Sequence, residues 1–398
     1  MAKKIAVGID IGTYQIKVVV AENVGAGASA TGRDFPRVLG MGFAESRGLR
    51  HGYITNPEDV AKSLSHAISQ AEKTSGVRIS RAFLSVGGIG LGSVTSNGSI
   101  IISRGDSEID ELDVSKVHEI CEKEIPAAMI TNRKIIHPIP LQYKLDGKTV
   151  LGNNPVGLRG NKLECRMLFI TCLEHHLHTL IEAVEEAGVE VIDVMAAPLA
   201  ASFVTLNKSQ KIAGCALANI GAETVSLVVF DENKPQSLEV FSVGSTNITN
   251  DIALGFKIGL DDAEHVKIGG ITTINFPRKK LDDIIDARLA DMFELIETHL
   301  KKLGQSQLLP AGIILTGGGA SLGHIDEIAK KSLALPAKVA VIHAGDPSKS
   351  PFKDSSWSVA YGLCVWGLST DDSGSVNFSK TAKKVKGKVS AFIKQFLP

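Results

Sequence analysis

Two short turns carry the residues whose types and spacing are best suited to chemistry. In the first, Asp10, Gly12, Thr13 and Tyr14 follow an apolar run, and alternating apolar residues come next. This pattern predicts a β-hairpin. A turn with glycine points several N–H groups at one spot, and such a nest binds phosphate oxygens. We expect the amides of Gly12, Thr13 and Tyr14 to bind phosphate. Asp10 would hold the water shell of a magnesium ion, which prefers carboxylate and water ligands.

The second turn repeats the first about 209 residues later. Segment 217–229 again predicts strand, glycine turn and strand, and Asn219 falls on Asp10. Gly221 and Thr224 are candidate ligand contacts in this turn. Two unrelated hairpins are the alternative, because this pattern is common. A repeat so distant is no solenoid and instead predicts two similar domains that each present a turn to a shared cleft.

A third glycine-bearing turn supports the duplication. Residues 311–316 predict a buried strand, Gly317, Gly318 and Gly319 follow it, and residues 324–333 have helical spacing. Glycines between strand and helix let the backbone approach a ligand, and the helix start offers free N–H groups. Three such turns in this order are a much stronger signal than any one of them.

The composition of the chain excludes several classes of protein. The 398 residues suffice for about two to four folded units. Lys+Arg and Asp+Glu both number 43, so the net charge of zero disfavours binding of nucleic acid by the whole chain. Five scattered cysteines argue against a disulfide framework or structural zinc and fit a reducing cytosol. No apolar window predicts a membrane span or a signal peptide, so we expect a cytoplasmic protein.

The order of the three turns resembles the ATPase fold of actin, Hsp70 and sugar kinases. Within that fold, several stretches resemble bacterial FtsA, the actin-like division protein. They are His51-Gly-Tyr-Ile-Thr-Asn-Pro-Glu-Asp, segments 135–146 and 154–160, and Asp261-Asp-Ala-Glu-His-Val-Lys-Ile. The resemblance covers nearly the whole chain. It implies a duplicated actin-like (RNase H-like) α/β fold, in which two large domains surround a nucleotide cleft, with an FtsA-type inserted subdomain.

The resemblance also implies a division of the chain into subdomains. Their residue ranges are 1–85, 165–196 and 345–368 for subdomain 1A, 86–164 for the inserted subdomain 1C, 197–240 and 308–344 for subdomain 2A, and 241–307 for a shortened subdomain 2B. A polar linker (369–380) and an amphipathic helix (381–398) follow. In the insert, a helix is predicted to start with Asp113 as its N-cap. In the family this insert contacts other proteins, so we expect later division proteins to bind it.

ATP and magnesium are the cofactors that the resemblance implies. Lys17 would reach the β- and γ-phosphates, although the residues alone favour a solvent-facing strand lysine. Gly317, Gly318 and Gly319 would meet the adenosine end. Glu264 and Lys267, which share a helix face, would clasp ribose and adenine, or form an ordinary surface ion pair.

The second turn departs from the family's usual Asp-x-Gly-Gly-Gly-Thr. Asn219 lacks the charge that would bind magnesium or polarise a water molecule, and Glu223 adds a negative charge near phosphate unless it points outward. We therefore expect slow hydrolysis, with ATP acting as a switch.

Two further surfaces are predicted to bind partners. Arg278, Lys279 and Lys280 lie in the region that, by resemblance, docks the C-terminal peptide of FtsZ; solvated loop charges are the alternative. On a helix, Val385, Val389, Phe392, Ile393, Phe396 and Leu397 form one apolar arc, and six lysines and no acid follow Asp372. Such a helix binds an anionic lipid surface, whereas docking on the protein's own core is the alternative. Filaments of the chain itself would multiply this weak anchor.

The function implied is a tether that polymerises at the division site on the cytoplasmic face of the cell membrane and holds the FtsZ ring there. A PilM-like scaffold for type IV pilus assembly is the alternative. A sugar kinase of the same superfamily is weakened by Asn219. His175, His176 and His178 lack the further ligands of a metal site, and no nucleophile-elbow motif occurs.

Overall fold

The computed structural model describes residues 4–23, 35–270, 276–344 and 350–369. The predicted linker and amphipathic helix, with the six apolar residues of that helix, lie outside these ranges apart from Ser369, which ends the last described helix.

The first lobe is built on a five-stranded sheet. Its strand order is β11-β6-β1-β2-β3, with a small β4–β5 hairpin beside it. The elements are β1 (Ile5–Ile11), β2 (Gln15–Glu22), β3 (Arg37–Glu45), β4 (Leu49–Arg50), β5 (Tyr53–Ile54), α1 (Pro57–Ser75), β6 (Arg81–Val86), α4 (Glu174–Glu186) and β11 (Glu190–Ala196). Near-continuous runs of apolar residues bury the β1–β2 hairpin in the core, and β1 pairs in parallel with β6.

The second lobe repeats this topology. Its sheet has the order β14-β13-β12-β15-β16. The strands are β12 (Cys215–Ile220), β13 (Val225–Asp231), β14 (Lys234–Phe241), β15 (Ile313–Thr316) and β16 (Ala337–Val339). Both sheets place an antiparallel meander beside two parallel strands, in the same sequential order. The predicted duplicated fold is confirmed.

The insert between β6 and α4 is a separate four-stranded sheet with its own core. Its elements are β7 (Leu91–Ile101), α2 (Glu111–Lys123), α3 (Ala127–Ile130), β8 (Arg133–Leu145), β9 (Lys148–Thr149) and β10 (Lys162–Leu173). Because β10 pairs with β7 and β8 along its whole length, the insert continues past residue 164, where the sequence analysis ended it.

The predicted N-cap of α2 is wrong by three residues. Asp110 is the N-cap, and its side chain accepts from the Asp113 N–H. Asp113 lies at the third helical position, where its carboxylate accepts from the Asp110 N–H at 3.2 Å. The two acids form a capping box, so either carboxylate alone could suggest the start of the helix.

Helices complete the second lobe. They are α6 (Lys208–Ala213), α7 (Ser245–Phe256), α8 (Leu260–Lys267), α9 (Arg278–Lys302) and α10 (Ile325–Leu333). Arg278, Lys279 and Lys280 form the first turn of α9, so they are helical residues and not the loop charges that the sequence suggested.

Two crossing helices join the lobes. They are α5 (Ala197–Thr205) and α11 (Ser358–Ser369). A side chain at Gly362 would place its Cβ 1.9 Å from the Ala200 carbonyl oxygen, so glycine sets the close approach of these helices. The Thr316 hydroxyl, fully buried, lies 3.0 Å from Ser358 Oγ and ties β15 to the start of α11.

Candidate functional site

In the first turn, hydrogen bonds from Ser46 hold the carbonyls of Gly12 and Tyr14. Ser46 Oγ donates to the Gly12 carbonyl at 2.5 Å, and the Ser46 N–H donates to the Tyr14 carbonyl at 3.0 Å. In the described part of the chain, the N–H groups of Thr13 and Tyr14 donate to no protein acceptor. Within one peptide unit the carbonyl and the N–H point in opposite directions, so the bond from Ser46 to the Gly12 carbonyl orients the Thr13 N–H toward a possible anion.

A charged pair lies beneath the first turn. Asp10 and Lys17 are register partners across β1 and β2. Burial raises the pKa of Asp10, opposed by a hydrogen bond of 2.7 Å from Ser85 Oγ and by the charge of Lys17. Burial likewise lowers the pKa of Lys17, opposed by the charges of Asp10 and Asp354. Lys17 is therefore not a solvent-facing lysine; its amine lies 5.7 Å from the ring centre of Trp357.

The second turn repeats the arrangement of the first. Its carbonyls face the start of α7: the Ser245 N–H donates to Gly221 at 3.0 Å, and the Thr246 N–H donates to Ala222 at 2.8 Å. Gly221 N–H closes the turn on the Thr224 carbonyl at 2.8 Å. Among the described residues, the amides of Ala222 and Glu223 have no protein acceptor, so they are free to meet an anion.

The charged pair of the first lobe has a neutral counterpart in the second. Asn219 and Ser226 are register partners across β12 and β13, in the positions that Asp10 and Lys17 hold in the first hairpin. Acid and base have thus both been replaced. At this pair of positions the first lobe can supply charge to a phosphate and its cation, whereas the second lobe can supply only neutral hydrogen-bonding groups.

The three glycines after β15 have different surroundings. At Gly317, which has φ 90°, an added Cβ would lie 2.4 Å from Asn219 Oδ1, and at Gly319 it would lie 2.5 Å from Ile220 Cγ2. Both glycines are needed for packing on the end of β12. Gly318 has open space where a Cβ would stand, so it is the member of the loop that a ligand can approach.

Glu264 and Lys267 form more than a surface ion pair. Lys267 Nζ lies 2.6 Å from Glu264 Oε2, and its side chain is only 5% exposed. The amine also donates to Thr249 Oγ1 at 2.8 Å and to the Ser245 carbonyl at 3.2 Å. Because Ser245 bonds to Gly221, this pair is connected to the second turn.

The predicted basic residues lie apart from these turns. Lys280 Nζ donates to the Gly255 carbonyl at 2.6 Å and lies 5.0 Å from the ring centre of Phe256, so it caps the C-terminal end of α7. Arg278 and Lys279 are exposed. No group of three or more potential metal ligands occurs among the described residues, the three histidines included.

Sequence reasoning missed several groups around the first turn. Ser46, Ser85 and Trp357 come from distant parts of the chain, and isolated serines carry no sequence signal. Glu223 was noted for its charge, but its partner was not. The backbone N–H of His51, in the first lobe, donates to the Glu223 carboxylate in the second.

Comparison with known proteins decides the family. The family model for the cell division protein FtsA matches residues 216–362, and the model for the SHS2 domain inserted in FtsA matches residues 88–171. Together they match more than half of the chain. The chain belongs to the FtsA family. The resemblance found in the sequence, including the inserted subdomain, is therefore confirmed, and by homology the chain is a cell-division protein of actin-like fold.

Curated FtsA proteins match along nearly the whole length. That of Pseudomonas aeruginosa is 27% identical, over 93% of this chain and 91% of its own length. That of Borreliella burgdorferi is 29% identical, over 99% and 98%. That of Bacillus subtilis is 29% identical, over 90% and 82%.

Solved structures share the fold at lower identity. The PilM–PilN type IV pilus biogenesis complex matches with a TM-score of 0.66 and 19% identity, over 91% of this chain and 98% of that chain. MreB5 of Spiroplasma citri bound to ADP matches with a TM-score of 0.50 and 13% identity, over 92% and 96%. Within the described ranges, no helix is both long and apolar enough to cross a membrane.

Proposed function

We propose that this FtsA-family chain binds ATP between its two lobes, polymerises on the cytoplasmic face of the membrane at the division site, and attaches FtsZ there. The observation that carries the nucleotide proposal is the pair of braced turns, each with amides that donate to no acceptor among the described residues. Membership of the FtsA family supports the rest.

The donor set fits a magnesium ion that is bound mainly through water. Asp10 supplies a carboxylate beneath the first turn, and Asn219, at the matching position beneath the second, is neutral. Mg²⁺ usually keeps several waters and takes one or two carboxylates together with substrate phosphates. Bound there, it would neutralise phosphate charge. Lys17 would hold the β- and γ-phosphates, the amides of both turns would orient them, and Gly318 would lie beside the adenosine.

Calorimetric titration of MgATP into the full chain tests the site. We expect saturable binding, weakened about tenfold or more in Lys17→Ala, because one charge-assisted hydrogen bond is worth about 1.5–3 kcal/mol. Lys330→Ala, an exposed lysine on α10, is the matched control and should bind like the natural chain. Absence of any binding heat in the natural chain would refute the nucleotide proposal.

The start of α9 supports a docking site for an acidic peptide such as the FtsZ C-terminus. Arg278 and Lys279 are exposed in a first turn that has no acidic residue. Cations at a helix N-terminus are disfavoured by about 0.3–1 kcal/mol each, and an anionic partner would offset this. Lys280 already caps α7.

Fluorescence anisotropy with a labelled FtsZ C-terminal peptide tests this docking. The double variant Arg278→Ala, Lys279→Ala should weaken binding about tenfold, as expected for two lost ionic contacts of a few tenths to one kcal/mol each. The control Lys330→Ala, Lys331→Ala removes the same charge from α10. Equal affinities in both double variants would contradict the site.

Membrane attachment is proposed from the sequence of residues 381–398. A chain lacking 383–398 should not float with vesicles that contain anionic phospholipid, whereas the full chain should. A neutral phospholipid vesicle is the control, since each basic residue near an anionic surface adds about 1 kcal/mol. Flotation that survives the deletion would refute attachment through this helix; the alternative, a PilM-like scaffold, needs no such tail. The division into subdomains and the binding of later division proteins by the insert remain part of this proposal.

A further inference from the structure

Glu223 leaves its own lobe and contacts the other. It lies in the second turn, and its carboxylate accepts a hydrogen bond from the backbone N–H of His51, between β4 and β5. His51 Nδ1 lies 3.4 Å from the Glu223 carbonyl oxygen and 4.0 Å from Glu223 Oε2. The Glu223 side chain is 24% exposed, so water only partly screens this contact.

Both ends of this contact are braced within their own lobes. The His51 carbonyl accepts from the Ile89 N–H at 3.3 Å, and an added Cβ at Gly52 would lie 2.4 Å from the Gly88 Cα. On the other side, α7 holds the carbonyls of Gly221 and Ala222. Since neither turn can shift freely, the contact fixes the distance between the lobes at this point.

The negative charge of Glu223 lies in the second turn, where the amides of Ala222 and Glu223 have no acceptor among the described residues. A phosphate that binds the amides of Ala222 and Glu223 brings a second negative charge close to this carboxylate. At about 10 Å and an effective dielectric constant of about 20, two unit charges repel by about 1.7 kcal/mol, or more than a factor of ten in affinity.

We propose that Glu223 is a positioning residue that holds the second turn against the His51 turn and so keeps the cleft closed when no ligand is bound; this contact is called the latch below. Through its charge, Glu223 also sets the free-energy cost of placing a terminal phosphate at the second turn. The latch itself depends only on contacts of the protein. Its effect on phosphate rests on the proposed nucleotide function.

Three variants separate hydrogen bonding from charge. Glu223→Gln keeps an acceptor for the His51 N–H and removes the charge, whereas Glu223→Ala removes both. Glu232→Gln, an exposed acid in the β13–β14 turn, is the matched control.

Hydrogen exchange of a peptide covering residues 49–54, in the ligand-free full chain, reports the latch. We expect exchange at least about tenfold faster in Glu223→Ala, since a hydrogen bond to a charged group is worth about 1.5–3 kcal/mol. Glu223→Gln and Glu232→Gln should stay much closer to the natural chain. Equal exchange in Glu223→Ala and the natural chain would overturn the latch.

Titration with ATP, ADP and adenosine measures the effect of the Glu223 charge on binding. Glu223→Gln should raise ATP affinity about tenfold or more, ADP affinity less, and adenosine affinity not at all, because only phosphates are repelled by the carboxylate. An equal change for all three ligands would overturn the electrostatic part. If no variant binds any nucleotide, the proposed function fails, and the exchange result still decides the latch.

Discussion

At the scale of single residues, we expect Asn219 to limit the hydrolysis of a triphosphate bound at the proposed site. Replacing it with aspartate is nearly isosteric and restores the acid that the first lobe has in Asp10. We expect Asn219→Asp to raise the rate of phosphate release from ATP at least about tenfold, since a positioned acid or base contributes about 10²–10⁴. Asn219→Ala is the control and should give no increase. Equal rates in both variants would show that residue 219 does not limit hydrolysis.

Gly317 and Gly318 allow a matched test of the glycine loop. Gly317→Ala would put a Cβ 2.4 Å from Asn219 Oδ1 at a φ of 90°, which side chains rarely adopt. It should lower the free energy of unfolding by about 1–3 kcal/mol. Gly318→Ala meets open space, so it should leave stability unchanged and weaken only nucleotide binding. Urea denaturation of both variants checks this, and equal stabilities would contradict it.

At the scale of elements, the insert contains a histidine that is poorly placed to accept a proton. Nε2 of His118, on α2, is 2.5 Å from the Tyr143 hydroxyl on β8. Burial lowers the pKa of His118 from 6.5 to about 4. As the pH falls, His118 is therefore protonated in the unfolded chain at a higher pH than in the folded chain. The stability that neutral His118 contributes is fully present above pH 6.5 and is lost as the pH falls toward 4, by about 2–3 kcal/mol.

Denaturant unfolding at pH 7 and pH 5 measures this loss. His118→Asn should reduce the pH dependence, because the substituted residue does not titrate. His178→Asn, at an exposed site on α4, is the control and should keep the full pH dependence. A pH dependence that is unchanged in His118→Asn would place its origin elsewhere.

The elements themselves were largely readable from the sequence. Alternation and glycine predicted both hairpins, because strand periodicity and turn chemistry are local. The start of α2 was misplaced because Asp110 and Asp113 are equivalent in a capping box. The start of α9 was missed because three cations are unusual in a first turn. The roles of Ser46 and Ser85 could not be predicted, because the residues next to a serine do not indicate which distant turn or carboxylate its hydroxyl will contact.

At the scale of the whole molecule, the insert is bonded to the second lobe as well as to the first. Ser93 Oγ on β7 donates to the Leu238 carbonyl on β14 at 2.9 Å and accepts from its N–H at 2.8 Å. Nearby, Lys234 Nζ donates to the Leu141 carbonyl at 2.5 Å. Burial lowers the pKa of Lys234, opposed by the charge of Glu232. A force applied to the insert would therefore act on the second sheet directly, through β14.

Ser93→Ala tests this coupling. The change leaves the Leu238 N–H and carbonyl without the hydroxyl that bridges them, which costs about 1–3 kcal/mol for a partly buried pair. We expect a lower free energy of unfolding and faster hydrogen exchange in a peptide covering residues 234–241. Ser99→Ala, at an exposed position on the same strand, should change neither. If exchange in β14 stays the same in both variants, the Ser93 hydroxyl does not couple the insert to the second lobe, and forces on β7 do not reach the second sheet through Ser93.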